Sequence, residues 1–191
     1  MKRTHRGLRD HHYLRTVALT AVLLLGATSC SGEDSSPDGS SQVTKADAKQ
    51  AASAVQAGLK AHSDGDLDKA ETAYDKALKY DPTNKFAFYN LALIDEADEN
   101  YGLAETNYRS ALETDPKYGP ALFNLAILRT KDDPKEAISL YKSAVAGDAK
   151  DAAAWLNLGL LQRANGDKAS GNKSVLRAVA LDSTLKDPAK R

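Results

Sequence analysis

Apolar residues recur along the chain in short blocks at helical spacing. In FAFYNLALI (86–94), Phe88 and Leu91 stand three apart, and Leu125 and Leu128 do the same in PALFNLAIL (120–128). AAWLNLGLL (153–161) has the same form, and ASAVQAGLK (52–60) is a degenerate copy. A second kind of block follows each of these. In AETAYDKALKYDP (70–82), Tyr74, Ala77 and Leu78 fall at i, i+3 and i+4. Both patterns predict amphipathic helices. Turn signals lie between them at SDGD (63–66), DENYG (98–102), KDDP (131–134) and NGD (165–167). Asp133-Pro134 reads as a helix start, with Asp at the N-cap, Pro at the first helical position and Glu136 three residues after the cap. Asp81-Pro82 and Asp115-Pro116 read as helix ends, because proline disfavours the helical conformation in the residue before it.

The blocks repeat at a fixed interval. AETNYRSALETDP (104–116) begins 34 residues after AETAYDKALKYDP and matches it at eight of thirteen positions. AISLYKSAVAGDA (137–149) and GNKSVLRAVALDS (171–183) are weaker copies offset by 33 and 34. A period of this length, with two helices in each unit, marks a helical solenoid. The chain resembles the tetratricopeptide repeat, with four copies at 51–84, 85–118, 119–151 and 152–185. The family's small residue in the first helix falls on Gly58, Ala92, Ala126 and Gly159. Those of the second helix fall on Ala70, Ala104, Ala137 and Gly171, and on Ala77, Ala111, Ala144 and Ala178. Its aromatic falls on Tyr74, Tyr108 and Tyr141, with Val175 departing, and its tryptophan position holds Ala54, Phe88, Leu122 and Trp155. The position normally tyrosine near the end of the first helix holds Ala61, Asp95, Arg129 and Gln162, which predicts thinner packing beside that turn. Repeat 3 is one residue short in its turn and ends in Asp148-Ala149, without proline. The fold expected is all-α, a superhelix of four helix-turn-helix repeats over 44–185, followed by a tail at 186–191.

The resemblance also implies where a partner sits. In this family the first helix of each repeat lines a concave face. One row of residues there is Val55, Tyr89, Phe123 and Leu156, and the other is Leu59, Leu93, Ile127 and Leu160. Both rows are apolar throughout. Part of them belongs between repeats, and the remainder forms an interaction strip centred on Tyr89 and Phe123. Asn90, Asn124 and Asn157 stand beside it, and an asparagine amide can serve a peptide backbone as donor and acceptor or can serve the fold. The subtype that clamps a C-terminal carboxylate uses Lys and Asn where this chain has its apolar rows. An apolar helix or extended segment is therefore the expected guest.

Charge modifies the picture at one end. Residues 1–29 hold five of the 26 basic residues (Lys2, Arg3, Arg6, Arg9, Arg15) and one of the 26 acidic ones (Asp10). The rest of the chain has 21 basic and 25 acidic side chains, a net of about −4. Such a surface gives no reason to expect nucleic acid as a partner. The basic stretch leads into TVALTAVLLLGAT (16–28), too short for a spanning helix but right for a secretory signal. GATSC (26–30) resembles the lipobox of bacterial lipoprotein precursors, although Ala27 occupies a position where Leu is usual. The resemblance implies cleavage before Cys30, the chain's single cysteine, and diacylglycerol on its thiol. Two acyl chains would anchor firmly where one binds only marginally. SGEDSSPDGSSQ (31–42) has no aliphatic or aromatic residue and reads as a flexible tether within residues 30–43.

Little in the sequence suggests catalysis. After residue 29 there is one histidine, His62, and no cysteine pair, phosphate-cradling glycine loop or helix with spaced metal ligands. The expectation is a protein that is not an enzyme, uses no cofactor or metal and sits on the extracytoplasmic side of a bacterial cell envelope. Its partners would be another envelope protein or peptide segment and the membrane. Self-association through the uncapped last repeat, giving a structural homo-oligomer, is the alternative.

Overall fold

The computed structural model describes residues 43–185. The expected leader at 1–29, the lipid site at Cys30, the tether up to residue 42 and the tail at 186–191 lie outside the described residues. Eight α-helices make up the described part: α1 (Lys45–Ser63), α2 (Leu67–Tyr80), α3 (Lys85–Ala97), α4 (Tyr101–Thr114), α5 (Gly119–Asp132), α6 (Pro134–Gly147), α7 (Ala152–Ala164) and α8 (Lys168–Leu181). They pair as four hairpins, and each helix packs chiefly on its neighbours in the chain. The architecture is an all-α solenoid. Helix α1 starts six residues before the first repeat unit. Thr44 caps it, and Asp47 returns the bond to the Thr44 backbone in a capping box.

Local chemistry explains the helix boundaries. Asp66, Asn84, Asp133, Asp151 and Asp167 each accept a hydrogen bond from the N–H three residues on, satisfying an orphan donor. At the far end of every second helix stands an aspartate: Asp81, Asp115, Asp148 or Asp182. Each accepts from the N–H two residues later, at 3.1, 3.0, 2.8 and 2.9 Å. Each one's carbonyl also accepts from the residue three later. These are Asx turns. Proline follows Asp81 and Asp115, but Ala149 and Ser183 follow the others, and all four helices stop at the same place. The aspartate, rather than the proline, ends these helices.

The turns inside the hairpins need a left-handed residue. Gly65 (φ 77°) and Gly166 (φ 90°) provide it in repeats 1 and 4. Glu99 adopts the same conformation in repeat 2 at φ 61°, which costs a side-chain-bearing residue about 1 kcal/mol. Repeat 3 is short by this residue, and Asp133 serves there as both the end of α5 and the cap of α6.

Among the described residues three core cells each join a hairpin to the first helix of the next repeat, and Val175 and Ala178 are buried in the last hairpin. Ala70, Tyr74 and Ala77 meet Ala87, Leu91 and Ile94 in the first. Ala92, Ala104, Tyr108 and Ala111 meet Ala121 and Leu125 in the second. Leu122, Ala137, Tyr141 and Ala144 meet Ala154, Leu158 and Leu161 in the third. The small residues are almost all fully buried, as close helix approach requires.

In repeats 2 to 4 polar pairs occupy the slot that is tyrosine elsewhere in the family. Asn107 donates to Asp95 at 2.8 Å, and Ser174 donates to the buried Gln162 at 2.8 Å. Arg129 bridges Glu136 of α6 at 2.8 Å and Glu105 of α4 at 3.3 Å, and Arg109 joins both carboxylates. In repeats 2 to 4 the slot is filled by polar contacts instead of being thinly packed, and in repeat 1 Ala61 packs against the first core cell. Burial pushes the Asp95 carboxyl up to about 6, and Glu71, Asp98 and Asp75 add to the rise against the Asn107 bond. A carboxyl raised from its unfolded value of 3.8 binds a proton more tightly in the fold. Its contribution to stability is therefore greatest below pH 4 and is lost as pH climbs through 6. Asp95→Asn keeps an acceptor for Asn107. It should match the wild type near pH 4 and exceed it by about 1 kcal/mol at pH 7, after allowing for the half-exposed site. Urea titrations at the two pH values check this, and equal stability at both would refute it.

Candidate functional site

The predicted rows lie on α1, α3, α5 and α7, and their exposure varies. Val55 is 7% exposed and lies in the core, whereas Leu59 and Ile127 are 41% and 47% exposed. Tyr89, Leu93, Phe123, Leu156 and Leu160 are half-buried. Tyr89 meets the Tyr118 ring edge-on at 5.4 Å and the Tyr108 ring at 5.8 Å, and Phe123 meets Tyr141 edge-on at 5.7 Å. Both site aromatics therefore rest on core aromatics with an edge still open to solvent.

The three asparagines do different things. Asn124 reaches back one repeat, donating to the Tyr108 hydroxyl at 3.1 Å and the Tyr89 hydroxyl at 3.4 Å. Tyr108 in turn donates to Glu96 at 2.5 Å. Burial and the Glu96 carboxylate hold this hydroxyl far above the usual tyrosine range. Tyr141 has Thr130 and Asn157 as its partners. Asn90, in the same register, is buried and donates to the Phe86 carbonyl of its own helix at 2.7 Å. The Tyr74 hydroxyl of repeat 1 is buried and has no hydrogen-bond partner. Removing it by Tyr74→Phe should leave stability unchanged or slightly raised, while Tyr108→Phe should cost about 1.5 kcal/mol. Thermal denaturation of the two variants side by side distinguishes them, and equal losses would contradict the hydrogen-bond assignment.

A hollow of about 440 Å³ opens between α3, α5, α6 and α7. Tyr89, Phe123 and Asn124, three of the predicted residues, line it together with Gly119, Pro120, Ala144, Asp148, Asp151 and Ala153. The last six were not among the predicted residues. Ala144 lies in the last turn of α6 and the others at a helix end or a repeat junction, outside the rows that the family resemblance implies. A column-by-column comparison of the repeats would have found them. One repeat earlier, Lys85, Phe86, Tyr118 and Asp115 occupy the positions of Gly119, Pro120, Asp151 and Asp148. There a lysine of the chain itself holds the carboxylate, beside a shallow hollow of about 410 Å³ lined by Lys85, Phe86 and Asp115. Lys85 Nζ lies 2.5 Å from the Asp115 carboxylate and 5.2 and 5.1 Å from the Phe86 and Tyr118 ring centres, and the two rings meet edge-on.

A family model described as the tetratricopeptide repeat matches residues 61–119 and 127–184, more than half of the chain. The chain belongs to the tetratricopeptide repeat family. Solved tetratricopeptide-like structures agree with it in fold. A crystal structure of MamA superposes with a TM-score of 0.63 at 18% identity, covering 73% of this chain and 82% of that one. The pilF protein of Pseudomonas aeruginosa gives 0.64 at 22%, covering 74% and 65%. The first repeat domain of Spaghetti (RPAP3), solved with the HSP90 peptide SRMEEVD, gives 0.56 at 21%, covering 61% and 96%. At these identities the likeness is one of fold. No curated protein sequence matches the chain. A tetratricopeptide repeat array is a protein–protein interaction scaffold, and the hollow lies where its first helices meet solvent. Among the described residues no helix is long and apolar enough to cross a membrane.

Proposed function

We propose that this tetratricopeptide repeat protein is a membrane-tethered adaptor on the extracytoplasmic side of a bacterial envelope. It seats an apolar segment of another envelope protein in its concave groove. The hollow beneath Tyr89 and Phe123 supports the seat, with Leu59 and Ile127 exposed along the same face. The basic n-region, the short apolar stretch and Cys30 at the cleavage point support the tether and its diacylglycerol. The peptide solved with the Spaghetti domain is acidic, and Asp148 and Asp151 at this hollow would repel such a guest. The reading is of a binding module and assigns no catalytic residue.

Phe123 and Tyr89 pack on core rings, so charge at either position threatens the fold. Ile127 does not share that burden. A photocrosslinker at Ile127 in intact cells should trap a discrete envelope protein, and Ile127→Glu should reduce capture at least tenfold without shifting the melting temperature. Unchanged capture by the Glu variant would remove the groove from the account. Cell fractionation tests the tether: Cys30→Ser should move the protein off the membrane, and retention there would refute the lipid.

A second reading rests on α8. Leu176 is 57% exposed where Asp75, Arg109 and Lys142 stand in the other repeats, as expected if copies associate through the last repeat. Sedimentation at micromolar concentration decides it, since a monomer excludes it.

A further inference from the structure

We infer that the hollow between α3, α5, α6 and α7 takes a lysine or arginine of the guest, placed next to the guest's apolar residue. This rests on the groove reading and names the guest's chemistry. The repeats carry the inference through their internal symmetry. In the preceding repeat the chain presents its own cation, Lys85, to the equivalent carboxylate, Asp115, and to two aromatic faces. One period later that lysine is Gly119, with no side chain to offer. A Cβ at Gly119 would meet nothing within 4 Å. Phe86 becomes Pro120, which shortens the wall, and Tyr118 becomes Asp151, which adds a second carboxylate to Asp148. The internal cation is lost while the negative charge facing it is doubled.

Both carboxylates have capacity left. Asp148 gives one oxygen to the Lys150 N–H at 2.8 Å, and Asp151 gives one to the Ala154 N–H at 2.8 Å. Among the described residues no basic side chain pairs with either. Tyr89 and Phe123 provide the apolar wall on which the stem of a lysine or arginine lies, with its head group at the two carboxylates. The guest motif is thus an aliphatic or aromatic residue against Phe123 beside a basic one at Asp148 and Asp151.

The test is selection of short random peptides on the full chain held in detergent, with the selected peptides resynthesised for titration. Selected sequences should pair a basic residue with an aromatic or aliphatic one. The double variant Asp148→Asn, Asp151→Asn keeps both backbone caps, since asparagine serves them equally well. It should weaken these peptides about fivefold to tenfold at low salt, and raising the salt should narrow the gap. Replacing the peptide's basic residue by norleucine should cause the same loss in the wild type and none in the double variant. Gly119→Lys should reproduce the loss by supplying the missing internal cation. Selection of apolar peptides without a basic preference, or unchanged binding by the Asn variant, overturns the inference while leaving the groove reading in place. Failure to select any peptide sensitive to Ile127→Glu overturns both.

Discussion

Leu125→Ala is expected to destabilise the repeat array by about 3 kcal/mol and to broaden its unfolding transition. Leu125 is fully buried in the middle core cell, where α5 closes over the hairpin of repeat 2. Truncation removes its transfer energy and leaves a cavity in the cell it shares with Tyr108, Ala111 and Ala121. In a stack of hairpins each unit is stabilised by its neighbours, so the term lost is the one joining the first two repeats to the last two. Urea denaturation followed by circular dichroism should show a lower midpoint and a shallower slope than wild type. A sharp transition with a loss under about 1 kcal/mol would show that the middle cell is not what couples the halves.

Gly171→Ala should cost about 2 kcal/mol although alanine favours helices. Gly171 on α8 and Gly159 on α7 face each other at a close approach in the last hairpin. A Cβ on Gly171 would stand 2.6 Å from the Gly159 carbonyl oxygen and 2.9 Å from the Arg163 nitrogen, both backbone atoms that cannot move alone. The helices would have to separate, opening contacts around Val175 and Ala178, and overpacking of this kind costs about 1–3 kcal/mol. Gly102, near the start of α4, is the control, because a Cβ there meets nothing within 4 Å. Gly102→Ala should gain a few tenths to about 1 kcal/mol from helix propensity. Thermal melts of both variants check the pair, and a gain at both positions would show that α7 and α8 are not in tight contact.

Much of the architecture was legible because it rests on residues that recur in register. The 34-residue period, the small residues facing one another and the turn signals gave the hairpins and their order. The tyrosine-to-polar slot was legible as a departure but not as a structure. Asp95, Arg129 and Gln162 find partners on other helices, and a pairing across helices leaves no mark in local spacing. The site was legible in part for the same reason. The family resemblance put Tyr89 and Phe123 on one face, but it could not separate core Val55 from exposed Ile127. Nor could it show that Asn90 turns inward while Asn124 crosses to Tyr108. The rest of the hollow is made mostly at helix ends brought together from different repeats, where only a comparison of the repeats column by column gives a signal.

The four aspartate turns have a consequence for how such an array can grow. Every junction uses the same side-chain and carbonyl contacts, whichever residue follows the aspartate. A unit cut between two such aspartates carries a matching connector at each end, so duplicating or deleting a whole unit requires no new linker to be invented. Variation in length is open to this lineage by simple recombination, while the two carboxylates at the hollow, confined to one junction, would be copied or lost as a set.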